Sequence, residues 1–92
     1  MKNKQVDKLI SQHKELTHSE KVKVASHTQR EVDDWYVNTI MIENLLIPFK
    51  YKRKKLYQSL IGQRVNITYY PDTELVAGIE MEIMTVVRIR TY

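Results

Sequence analysis

The chain has 92 residues, no cysteine and a formal net charge of +4. That length holds one small domain with at most an appended segment, and the lack of thiols excludes a disulfide scaffold, a thiolate zinc site and a cysteine nucleophile. No apolar run approaches the ~20 residues that span a bilayer, and the opening residues lack the apolar stretch of a secretory signal, so the expectation is a cytoplasmic protein with no membrane role.

Val6, Leu9, Ile10, His13 and Leu16 recur at helical spacing. They predict a short amphipathic helix within an N-terminal segment, residues 1–19, ahead of a β domain over 20–92. Leu9 and Ile10 on its apolar stripe are candidate interface residues. Residues 17–34 carry two signals. Thr17 with Glu20 fits a helical capping box, whereas Lys21-Val22-Lys23-Val24 alternates like a strand. A strand near 21–28 and a polar turn through 30–34 are expected.

From Trp35 the chain is dense in β-branched and aromatic residues, which favour strands. Period two puts Tyr36, Asn38, Ile40 and Ile42 on one face and Trp35, Val37, Thr39 and Met41 on the other. Glu43-Asn44-Leu45 is a turn, with Asn44 suited to a left-handed backbone.

The stretch 48–64 holds six basic residues and no acidic one. Ile47, Phe49 and Tyr51 alternate with Lys50, Lys52 and Lys54, which predicts a strand with its lysines in solvent. Pro48 has no N–H, so this strand is an edge or begins at Pro48. Leu56 with Leu60 and Tyr57 with Ile61, followed by Gly62, predict a two-turn helix over 54–61. Val65, Ile67 and Tyr69 then face inward on a fourth strand, and Pro71-Asp72-Thr73-Glu74 reads as a turn. A last strand starts at Ile79, with Ile83, Val87 and Ile89 on one face. Met84 and Val86 interrupt its opposite, charged face, which makes them candidate interface residues for a protein partner or a homodimer.

The order resembles an OB-fold. It implies a mainly β, five-stranded antiparallel barrel with an N-terminal helix and a short helix between strands three and four. The resemblance rests on element order over residues 20–91. An SH3-like barrel is the alternative.

Two functions fit. In the first, Lys50, Lys52, Arg53, Lys54, Lys55 and Arg64 form a strip that neutralises phosphates, and Tyr57 and Tyr70 offer stacking faces. The ligand is then single-stranded DNA or RNA, bound with little sequence preference. In the second, the chain is a protein–protein interaction or assembly module and the lysines serve solubility alone. The sequence has no P-loop, G-x-G-x-x-G or nucleophile-elbow motif. Pro71-Asp72 with Glu80 and Glu82 is similar to a nuclease pattern, but Glu82 stands where that chemistry needs a lysine. The three histidines never stand at i,i+4. No catalysis, metal or cofactor is expected.

Overall fold

A computed structural model describes residues 16–92. The expected N-terminal helix, with Leu9 and Ile10, lies outside the described residues. Five strands form one mainly β sheet: β1 (Thr17–Val32), β2 (Trp35–Ile42), β3 (Phe49–Arg53), β4 (Arg64–Val76) and β5 (Ile79–Thr91). They pair in the order β1-β2-β3-β5-β4, and β4 returns to β1, so the ring of pairings closes. All contacts are antiparallel except β3 with β5, which is parallel through Phe49–Met84 and Lys50–Thr85. An all-antiparallel sheet was the expectation. The parallel pair arises because β4 crosses over to join β1, leaving β5 to fill the gap beside β3.

β1 begins at Thr17 rather than near 21, and its 16 residues serve two neighbours. Its first half pairs with β4 and its second with β2. The transfer falls between Lys23 and Val24, and a register break interrupts the β4-paired half between Ser19 and Val22. Lys21 sits there with φ 57, a left-handed conformation uncommon outside glycine. Both its backbone groups are served by β4 side chains. Its N–H donates to Asn66 Oδ1 at 3.0 Å, and its carbonyl accepts from the Arg64 guanidinium at 2.8 Å.

The β1–β2 turn is only two residues, Asp33-Asp34, so Arg30 belongs to a strand and pairs with Val37. Asn44 takes the left-handed backbone its type allows, with φ 69. Pro48 lies just before the first paired position, as its missing N–H requires, and its carbonyl accepts from Met84 N–H. β3 is no edge, since β2 and β5 flank it.

The core is Val24, Ile40, Ile42, Phe49, Tyr51, Val65, Ile67 and Val86, with Phe49 edge-on to Tyr69 at 4.8 Å. The inward set on β2 and β3 is the one alternation predicts. β5 differs. Tyr69 pairs with Val86 and Thr68 with Arg88, which leaves Val87 as a bulge. One extra residue reverses the faces. Val86 is therefore buried at 7 % exposure and Met84 packs on the core, so neither lies on the outward interface that unbroken alternation assigned them.

Residues 54–63 contain no helix, and no helix occurs among the described residues. Side chains of β1 take the backbone groups a helix would use. Gln29 Nε2 donates to the Tyr57 carbonyl, and Leu60 N–H donates to His27 Nδ1 at 2.9 Å. A two-turn helix is too short to hold without docking. Only Leu60 packs on the core, while Leu56, Tyr57 and Ile61 stay exposed.

The expected turn at 71–74 is strand. β4 and β5 continue as a two-stranded arm, with Pro71 opposite Met84 and Val76 opposite Ile79. Beyond Tyr69 and before Met84 they pair only with each other among the described residues. The arm turns at Ala77-Gly78, with φ of 50 and 80.

Candidate nucleic-acid interface

Register places three cross-strand rows on the outer face of β1, β2 and β3. The first runs from Val32 to Trp35, with Lys54 Nζ 4.3 Å from the centre of the Trp35 ring. The second is Arg30–Val37–Lys52. The third is Thr28–Thr39–Lys50, continued through Thr85 to Tyr70. Strands stand ~4.8 Å apart in a sheet, so the rows bring four cations and an indole onto one surface. Two hollows indent it. One of about 500 Å³ is lined by Thr28, Arg30, Val37, Thr39 and Lys50. The other, of about 270 Å³, lies between Val37, Lys50 and Lys52 and the arm residues Glu74, Ile83 and Thr85.

The four cations are not equivalent. Lys50 Nζ donates to Glu74 and forms an ion pair with it. Arg30, Lys52 and Lys54 form no ion pair with any other described residue. Among the described residues, Lys54 is tied only by the Trp35 ring. At an exposed site such a cation–π contact is worth about 0.5–1 kcal/mol, less than the ~1–3 kcal/mol of a base stacked on an aromatic side chain. Trp35 is 40 % exposed, enough to offer a ring face.

Of the residues expected in the basic strip, Lys50, Lys52, Lys54 and Tyr70 share this face. Four others do not. Arg53 is one residue out of phase with Lys52 and is stacked 4.8 Å over Tyr51. Tyr57 and Lys55 lie exposed on the connection after β3. Arg64 holds the β1 bulge, far along the chain of pairings from Lys52. Arg30, Trp35, Thr28 and Thr39 were not among the residues expected in the basic strip. The signal that finds them is Asp33-Asp34 as a two-residue hairpin turn, which sets Arg30 opposite Val37.

A third cavity, of about 210 Å³, opens between Tyr51, Arg53, Tyr57 and Arg90. Its floor is the buried His27–Asn38 pair, 2.8 Å apart. Because Nδ1 accepts from Leu60 N–H, Nε2 carries the proton and donates to Asn38 Oδ1. Burial raises the Tyr51 phenol above its ordinary value, and Arg53 beside it offsets part of that rise. Among the described residues no three His, Asp or Glu side chains gather to hold a metal ion. No helix among them is long and apolar enough to cross a membrane.

The chain matches no protein-family model, no curated protein and no solved structure.

Proposed function

We propose that this protein is an OB-like barrel that binds single-stranded nucleic acid, with little sequence preference, across the outer face of β1–β3. The spatial order β4-β1-β2-β3 is a Greek key, and with the parallel β3–β5 closure it favours an OB-like over an SH3-like arrangement. The observation that carries the function is Trp35, half-exposed beneath Lys54, beside Arg30 and Lys52 on one surface. A stacking platform within a basic groove is what sequence-tolerant binding needs.

The test is fluorescence anisotropy with labelled oligo-dT and oligo-U, the Lys52→Glu/Lys54→Glu double variant beside the wild type. Binding by the wild type, lost in a variant that keeps its thermal midpoint, supports the reading. Wild-type binding that survives the double charge reversal sinks it.

A protein-interaction module is the second reading, favoured by Leu46 at 93 % and Leu75 at 73 % exposure. It predicts a partner or an oligomer indifferent to the Lys52 and Lys54 changes.

A further inference from the structure

The arm formed by β4 and β5 beyond the closed sheet carries two carboxylates along the edge of the groove. Asp72 accepts a hydrogen bond from Thr85 Oγ1 at 2.9 Å. Thr85 is the β5 partner of Lys50. Glu74 reaches across to Lys50 itself. The ion pair is only partly sheltered, with the Lys50 side chain 24 % and the Glu74 side chain 37 % exposed. Pairs that solvent reaches contribute little to stability. Little is therefore lost if another anion takes the place of Glu74, and the groove in which Lys50 lies already offers Lys52 to the same anion.

We infer that the Lys50–Glu74 ion pair is a displaceable latch: Glu74 occupies the place of a phosphate on the outer face, and a bound strand must expel it to engage Lys50. This rests on the nucleic-acid reading above and deepens it. The latch has two consequences. Lys50 contributes less to affinity than Lys52 or Lys54, although it shares their face. Removing the negative charge of Glu74 converts Lys50 into an additional phosphate contact. Each such contact on a single strand adds about 0.7 to the salt slope, which near 0.1 M salt is about five-fold in affinity.

The test is a double-mutant cycle on the full chain with fluorescein-labelled oligo-dT of about 12 nucleotides, within the usual site sizes of such barrels. The four proteins are wild type, Glu74→Gln, Lys50→Gln and the double variant. Each is first checked by thermal melting. Glu74→Gln should bind about five-fold tighter near 0.1 M salt with the steeper slope. Lys50→Gln should bind no tighter than the wild type, and the double variant should lose the gain. Two results overturn the latch while leaving the nucleic-acid reading intact. One is wild-type binding with no gain in Glu74→Gln. The other is a gain that persists in the double variant, which would make Glu74 a general repulsive charge. Binding by none of the four proteins defeats both readings together.

Discussion

At the scale of single residues, three side chains have roles their types alone do not reveal. Trp35 is the only tryptophan, so its emission reports directly on the face it occupies. Its emission should be quenched when oligo-dT is added. Trp35→Ala should weaken binding by about 5- to 160-fold, the equivalent of ~1–3 kcal/mol for one stacked base. Unchanged anisotropy in that variant would remove the stacking platform from the mechanism. Tyr51 makes the opposite kind of contribution, to the fold. Burial favours its neutral phenol, so its folded value lies above the unfolded one near 10.0. The stability it contributes is fully present below the unfolded value and is lost as pH rises through the folded value. Urea midpoints followed from about pH 8 to about pH 11 should fall at the alkaline end, and Tyr51→Phe should flatten that fall. Arg64 is a third case. It counts as one more cation in the sequence, yet its guanidinium satisfies the carbonyl of a left-handed Lys21.

At the scale of elements, turns and bulges set the faces. Ala77 precedes Gly78 at the arm's tip with both φ values positive, the geometry of a tight hairpin turn. A non-glycine residue there costs about 1 kcal/mol or more, partly offset by the greater unfolded-state freedom of glycine. Ala77→Gly should therefore raise stability by about 0.5 kcal/mol, seen as a higher urea midpoint at unchanged slope. A lower midpoint would mean that the alanine methyl makes a contact worth more than the strain. The strands β2 and β3 were legible. The inward Asn38, Ile40 and Ile42 on β2 and Phe49 and Tyr51 on β3 follow from period two. The final strand's starting residue, Ile79, also follows. Its faces did not, because the Val87 bulge moves Met84 and Val86 inward. A bulge costs one residue of register and leaves no mark in composition. The helix expected over 54–61 failed for a related reason. Its i,i+4 pairs were real, but Gln29 and His27, distant in sequence, claimed the backbone groups of that segment.

At the scale of the whole molecule, charge placement matters more than the net +4. The outer face holds Arg30, Lys52 and Lys54 without carboxylate partners among the described residues, while Glu74 holds Lys50. Three available cations on a single strand predict a slope of log affinity against log salt of about −2. Titrations between ~50 and ~200 mM salt will read it, and a flat line would show that phosphates are not the contact. The expected strip had six cations. Folding kept Lys50, Lys52 and Lys54 on the face, stacked Arg53 over Tyr51, set Lys55 on a loop, used Arg64 in a bulge, and added Arg30 from β1.

What the linear chain determined is the local pattern: a mainly β domain, alternation on β2 and β3, a left-handed Asn44, and Pro48 at the threshold of a strand. Each follows from sterics or periodicity acting over a few residues. What only the tertiary structure decided is the company those residues keep. Trp35 meets Lys54, Arg30 lines up with Lys52, and Lys50 meets Glu74 because of register, crossover order and a bulge. These are set by how the whole sheet closes over its core, a sum over distant contacts that no short window of sequence contains.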